Sequence, residues 1–284
     1  MPLISVGMPV YNSEKYLREA FDCICNQSFR DIEIIVSDNG STDSTQTIIQ
    51  EYMERDDRIV FYQQPENLGP IPNFRFLLEK ARCDYFLWRS YDDLSDKNYL
   101  EVLYDLLENS SQNDLAVGRV IRQRMDGSIA GTIDFPWDGT TVPIDRRLLL
   151  RKTHPGWMYG LFRRSKLIPA IDGVLEKYPH IWAWDHLVLA PFAIGGSITG
   201  SNKTSFSQRE TGISQSTLKP MTSKDQIRLI SDFMRYVRSV IDKTELPFLT
   251  RWQLRVSLIA YTNGRTEKFR RVLRRAVKEV FGQF

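Results

Sequence analysis

Through the first hundred positions, short runs of consecutive apolar residues alternate with segments whose apolar positions recur every three to four residues. "LISVGMPV" (3–10) is such a run, and after it Leu17, Ala20, Phe21 and Ile24 keep helical spacing, with Asn12 or Ser13 placed to cap the helix. "IEIIVSD" (32–38) repeats the strand pattern, the turn "NGSTD" follows, and Ile48, Ile49, Tyr52 and Met53 mark a second helix. "RIVFYQQ" (58–64) predicts a third strand. Beyond "PENLGP" a helix carries Phe74, Leu77, Leu78 and Ala81 and leads into the run Tyr85 to Trp88. Strands this uniformly apolar are buried on both faces, so the alternation predicts an α/β fold, a mostly parallel sheet flanked by helices.

After about residue 110 the pattern loosens. "LAVGRVIRQR" and "SIAGTIDF" around "MDGS" predict an antiparallel hairpin. A short helix near Arg146–Arg151 leads to "GWMYGLFRRS", which reads as a strand, and then to the helical "WAWDHLVLAPFA". Residues 203–218, polar and containing Gly212, read as a loop, and from Lys224 onward the pattern is helical with a break at Pro247.

Composition narrows the function classes. With 284 residues, 42% of them hydrophobic, the chain can bury a core as one large domain or two intimately packed ones. The 38 Lys+Arg nearly balance 35 Asp+Glu, so no overall charge calls for a nucleic-acid partner. Cys23, Cys25 and Cys83 form an odd set without zinc spacing, which predicts free thiols in a reducing compartment. The start "MPLISVGMPVYNSE" lacks a signal-peptide pattern, and no run approaches the roughly 20 apolar residues of a membrane span. A soluble, cytoplasmic chain is expected. Charge is nevertheless concentrated: residues 251–278 hold nine basic residues and one acid, Glu267. In a helix, Phe269, Val272, Leu273, Ala276, Val277 and Val280 would form an apolar stripe beside Arg270, Arg271, Arg274, Arg275 and Lys278. Such a helix suits either an anionic membrane surface or a core-packed position with a solvated basic face.

Every unusual polar cluster in the first half follows a predicted strand: "PVYNSE", "SDNGSTD", "PENLGP" and "RSYDDLSD". Ligands of open parallel sheets bind at these carboxyl ends, so one ligand is expected to touch all four. "PVYNSE" has neither the GxGxxG nor the Walker spacing, which argues against the ordinary dinucleotide and P-loop readings. Asp92 and Asp93 are adjacent carboxylates that repel unless something positive compensates them. Mg²⁺ or Mn²⁺ held by one or two carboxylates, substrate phosphates and water is one solution. Capping of the next helix is the other, a task Ser95 or Asp96 could also perform.

Together, "ISVGMPVYNSEKYLREAFDCICNQSF", "IEIIVSDNGSTDST", "ENLG...NF" and "YFLWRSYDDL" resemble, in order and spacing, the family 2 inverting glycosyltransferases with a GT-A fold. The resemblance covers roughly residues 3–105. It implies a nucleotide-sugar donor, with Pro9, Tyr11 and Asn12 lining the nucleoside pocket, Glu14 on the ribose side and Asp38 facing the nucleoside. Asp93 would bind the Mn²⁺ or Mg²⁺ on the diphosphate, and Asp92 would help position the ion or the sugar. Many relatives have two aspartates before Gly-Ser. This chain has Asp38-Asn39, an amide that both donates and accepts, so a UDP-sugar is favoured while GDP and dTDP stay open.

By the same resemblance an acid at the start of a helix in the second half deprotonates the acceptor. "HIWAWDHLVL" supplies Asp185, framed by Trp182 and Trp184 and followed by His186; Asp172 and Glu176 lack that frame. "HPGWMYGLFRRS" resembles the acceptor-side segment, where Gly156 and Gly160 would admit a sugar and Trp157 would stack on it. The polar loop with Arg209 and Ser214 resembles one that closes over the donor, making Arg209 a diphosphate contact. The implied organisation is a nucleotide-sugar half (1–110), an acceptor half (111–220) and a C-terminal helical region (221–284). The implied function is metal-dependent, inverting sugar transfer to a saccharide or lipid-linked acceptor in bacterial cell-surface polysaccharide or lipopolysaccharide assembly. A nucleotidyltransferase, which would want a Gly- and Arg-rich first loop, and a non-catalytic sugar- or nucleotide-binding module are the alternatives.

Overall fold

A computed structural model describes residues 2–138, 145–210 and 220–281. The chain divides into two compact units, each built from separated segments: unit 1 from 1–141, 156–168 and 198–212, unit 2 from 142–155, 169–197 and 213–284.

Unit 1 opens with the predicted alternation: β1 (Ile4–Val10), α1 (Leu17–Cys25), β2 (Ile32–Asp38), α2 (Thr45–Met53), β3 (Ile59–Gln63), α3 (Pro70–Lys80) and β4 (Tyr85–Trp88). These strands lie parallel in the order β3-β2-β1-β4. β2 and β4 are buried at every position: β4 is apolar throughout, whereas in β2 the buried Glu33 is satisfied by the Ser5 hydroxyl and Arg82. The chain steps outward from β1 to β3 and then returns to place β4 on the other side of β1. That reversal opens a crevice beyond the carboxyl ends of β1 and β4.

Past β4 the sheet continues through β8 (Leu161–Arg163), β6 (Leu115–Gln123), β9 (Ile198–Arg209) and β5 (Leu94–Ser95), while β7 (Ile129–Ile133) pairs with β6 as the predicted hairpin. Here parallel and antiparallel pairs mix: β4–β8, β8–β6 and β9–β5 are antiparallel, β6–β9 parallel. Helix α4 (Tyr99–Glu108) packs on β6 and β9. Gly160 permits the β8–β6 approach, since a Cβ there would lie 2.5 Å from the Ala116 carbonyl oxygen.

Unit 2 is helical: α5 (Arg146–Lys152), α7 (Trp184–Gly195), α8 (Ser223–Lys243), α9 (Phe248–Arg265) and α10 (Phe269–Phe281), with α6 (Arg164–Lys177) running into it from unit 1. Asp145 caps α5 by accepting the Arg147 and Leu148 amides, and Thr222 caps α8 through the Asp225 amide.

Four sequence expectations change. Neither Asn12 nor Ser13 caps α1, which starts only at Leu17; their side chains instead bond within the surrounding turns. "GWMYGLFRRS" divides into a 3₁₀ turn (Pro155–Tyr159) and the short β8. Residues 203–209 belong to strand β9, not a loop, and 211–219, including Ser214, lie outside the described residues. On α10, Val272 is buried but Phe269, Leu273 and Val277 face outward, and the side chain of Val280 lies outside the described set.

Candidate functional site

Two loops meet at the carboxyl ends of β1 and β2. Asn12, at φ +47°, accepts the Thr42 amide at 2.9 Å and donates its own amide to Ser41 Oγ at 2.9 Å. Glu14 accepts the Ser44 amide at 3.0 Å. Asp38 is fully buried, and both its oxygens are committed: one accepts the Ser41 amide and hydroxyl, the other the Gln46 side chain at 2.8 Å. Its carboxylate thus organises the 38–46 turn.

Asn39 ties in the third loop. Its amide donates to Asn67 Oδ1 at 2.8 Å and the Gly69 carbonyl at 3.0 Å, while its oxygen accepts the Leu68 amide at 3.0 Å. An aspartate could make only the last of these bonds.

These loops and the end of β4 enclose a cavity of about 240 Å³, lined by Pro9, Tyr11, Asn39, Asn67, Asn73, Tyr91 and Tyr159 among others. Tyr11 is 42% exposed beside it. Asn73 is buried, donates to the Ser37 carbonyl at 3.0 Å and leaves Oδ1 without a hydrogen-bond partner. Asn73 is among the residues lining the cavity.

After β4 stand the paired acids. Asp92 is half-buried and accepts the Ser90 hydroxyl; Asp93 is 3% exposed and accepts the Arg209 amide at 2.8 Å. Burial raises both carboxyls, and with the charge of Asp92 added it pushes Asp93 up to about 8. Arg209 and Arg89 pull Asp93 back only in part. Among the described residues neither acid has an ion-pair partner, and no third His, Cys, Asp or Glu joins them. A buried and a half-buried carboxyl, both raised by desolvation and neither ion-paired among the described residues, suit a divalent ion whose remaining ligands come from phosphate and water. The residues present fit Mn²⁺ or Mg²⁺.

Arg89 is fully buried near this pair. Its Nη2 donates to Ser95 Oγ at 2.7 Å, its guanidinium lies over the Tyr99 and Phe206 rings, and Nε and Nη1 have no hydrogen-bond partner. Arg209 ends β9, pairs with Glu19 and covers the Tyr16 ring at 5.2 Å. Trp157 is 1% exposed and packs near Phe135, with centroids 5.9 Å apart, leaving no ring face for a sugar. Gly160 likewise accommodates a neighbouring strand rather than a ligand.

Unit 2 holds the other predicted residues. Ala183 takes the left-handed conformation (φ +62°) just before α7, strain that a non-glycine residue adopts only when its surroundings impose it. Trp184 and Asp185 are half-buried in the first turn, and Asp185 Oδ1 accepts the His186 amide at 2.8 Å. Burial pushes the Asp185 carboxyl up to about 6. Burial also holds His186 well below the usual imidazole value, so the ring is neutral, with Nδ1 lacking a hydrogen-bond partner. Arg265 from α9 lowers the Asp185 carboxyl electrostatically and is itself anchored to the Arg151 and Thr153 carbonyls at 2.7 and 2.6 Å.

Sequence reasoning passed over Asn73, Arg89, Tyr91, Tyr159 and Arg265. A signal existed for two of them: Arg89 interrupts an apolar strand end, and Asn73 stands in the "ENLG...NF" motif.

The family model for Glycosyl transferase family 2 matches residues 5–168, more than half of the chain. The chain belongs to glycosyl transferase family 2. Among curated relatives, this family 2 chain is 42% identical over 101 residues to an uncharacterized glycosyltransferase of Haemophilus influenzae, covering 36% of this chain and 40% of the relative. It is 38% identical over 115 residues to Glycosyltransferase GlyA of Streptococcus pneumoniae, covering 40% of this chain and 16% of that protein. The matches thus span well under half the length of these relatives. Among solved structures, S. aureus TarS 1-349 in complex with UDP-GlcNAc superposes over 99% of this chain and 76% of its own, with a TM-score of 0.74 at 17% identity. The mannosyltransferase PcManGT from Pyrobaculum calidifontis, in complex with GDP-Man and Mn2+, covers 100% and 76%, with a TM-score of 0.60 at 15% identity. The shared architecture is the GT-A fold.

Proposed function

We propose that the protein is a glycosyltransferase that holds a nucleotide-sugar in the cavity beyond β1, β2 and β4 and transfers the sugar, with inversion, to a hydroxyl of a saccharide or lipid-linked acceptor. The observation that carries this reading is the cavity lined by Asn73, whose Oδ1 has no hydrogen-bond partner, together with the buried Asp93 and half-buried Asp92 of the same unit, neither of which is ion-paired among the described residues. Asn73 Oδ1 would accept an N–H of the base, which the imide of uracil or thymine and the N1–H of guanine both offer. UDP is the favoured donor nucleotide, in keeping with a neighbour solved with UDP-GlcNAc, and the neighbour with GDP-Man and Mn2+ keeps GDP in view. Asp93 and Asp92 would hold Mn²⁺ or Mg²⁺, which when bound offsets charge on the donor diphosphate.

Asp185 is the base. It takes the acceptor hydroxyl proton as the new C–O bond forms at the anomeric carbon and the bond to the diphosphate oxygen breaks. A carboxyl at about 6 is ionised at neutral pH while remaining basic enough for the task. Family membership favours glycosyl over nucleotidyl transfer. The biological setting proposed is assembly of a bacterial cell-surface polysaccharide or lipopolysaccharide by a cytoplasmic enzyme placed peripherally at the membrane.

Thermal stability with UDP, GDP and dTDP, each with and without Mn²⁺, reads the donor class, since selective ligand binding raises the midpoint. Asp185→Asn is expected to cut turnover by about 10²-fold or more with donor binding nearly intact. Wild-type turnover in that variant would remove the base assignment. No midpoint shift with any nucleotide would remove the donor reading.

A further inference from the structure

Helix α9 is apolar on two opposite faces. Leu254, Leu258 and Tyr261 are buried, whereas Phe248, Trp252, Val256 and Ile259 recur every three to four residues on the other side and stand exposed, Trp252 at 54% and Ile259 at 63%. The outer stripe is about 16 Å long at 1.5 Å per residue. A helix with only a solvated outer face would carry polar residues there, so something covers this one. Helix α10 repeats the pattern: Val272 turns inward, and Phe269, Leu273 and Val277 face out.

Between α8, α9 and α10 lies a cavity of about 690 Å³ whose lining is mostly apolar, with Ile230, Met234, Ile259 and Phe269, and also includes Lys268, Arg270 and Arg271. From Phe248 to Phe281 the sequence has nine basic residues and two acids, Glu267 and Glu279. Arg255 pairs with Asp242 and Arg275 with Glu267; among the described residues Lys268, Arg270, Arg271 and Arg274 pair with no acid.

We propose that α9 and α10 form one docking surface for an anionic lipid bilayer, with Phe248, Trp252, Val256 and Ile259 entering the acyl boundary and the mostly apolar cavity receiving a lipid chain. Among the described residues no helix is long and apolar enough to cross a membrane, so the contact lies in the interface. Trp and Phe suit that depth, and unpaired Lys and Arg select negatively charged headgroups. A second copy of the same face would set like charges against each other. The inference extends the peripheral placement proposed above from α10 to α9 and the cavity, and it is independent of the donor and base assignments.

The test is flotation of the full chain, without donor or acceptor, on vesicles of phosphatidylcholine alone or mixed with phosphatidylglycerol. Binding to the anionic vesicles is expected to be at least about tenfold tighter and to weaken with salt. Trp252→Ser with Ile259→Ser should reduce binding to anionic vesicles about tenfold or more. Arg270→Ala, Arg271→Ala and Arg274→Ala together should bring anionic binding down to the neutral level. Unchanged melting and circular dichroism show that the variants fold, and a variant that fails this control is replaced by Val256→Ser alone with the same readout. Equal binding to both vesicles, or none, overturns the proposal. So does a dimer in solution that Trp252→Ser with Ile259→Ser converts to monomer, because a second copy would then be what covers the face.

Discussion

Asn39 and Asp93 show how single side chains acquire roles from their surroundings. The family resemblance implies an aspartate where this chain has the amide of Asn39, with consequences for the base. In the fold, the amide is spent on the Asn67 side chain and the Gly69 carbonyl, so its identity is set by the loop it anchors. Asp93 leads to a pH prediction. Its folded-state carboxyl is raised from the ordinary 3.8 to about 8, so the native protein binds this proton more tightly than the unfolded chain. The resulting stabilisation is complete below about pH 4 and is lost as pH rises through about 8. Chelator-treated protein should therefore melt progressively lower between about pH 5 and pH 9, and Asp93→Asn should flatten that slope. An unaltered slope in the variant would place the proton elsewhere. Asp92 and Asp93 were visible in sequence as acids in need of a cation; the size of that need was not, because burial is a property of the folded chain.

Elements were legible where the local pattern and the tertiary environment agree. β1 through β4 satisfy both, since their β-branched and aromatic runs suit strands of a covered sheet, with β3 at the edge only half-buried. β9 does not: "KTSFSQR" reads as a loop because Thr204 and Ser205 are polar, yet they bond across about a hundred residues to Asn98 and Asp96, at 3.0 and 2.7 Å. No local window contains those partners. The "GWMYG" segment misleads in the opposite way, its aromatic and glycine residues suggesting a sugar surface although Trp157 fills the core. A Cβ at Gly160 would press on the Ala116 carbonyl oxygen of β6. Gly160→Ala should destabilise the protein by about 1–3 kcal/mol through overpacking, measured by denaturant unfolding. A neutral effect would mean that the strands can separate at little cost.

At the scale of the molecule, the nucleotide-sugar half read from the sequence shares one sheet with the residues that follow it. Residues 1–110 include β1 to β5, but β4 pairs with β8 and β5 with β9, strands supplied from 161–163 and 198–209. A fragment of residues 1–110 would leave the apolar edge of β4 unpaired. It should show no cooperative unfolding transition, whereas a fragment that melts cooperatively and binds nucleotide would establish this half as autonomous. The sequence by itself determined the parallel strands, the family motifs that follow them, and the concentration of positive charge at the C-terminus, because each is written in neighbouring residues. Only the tertiary structure decided that Asp38 organises its turn, that Asn73 Oδ1 has no hydrogen-bond partner, that Trp157 is core, and that α9 is apolar outward as well as inward. Those outcomes depend on which distant segments pack together, and no spacing along the chain encodes them.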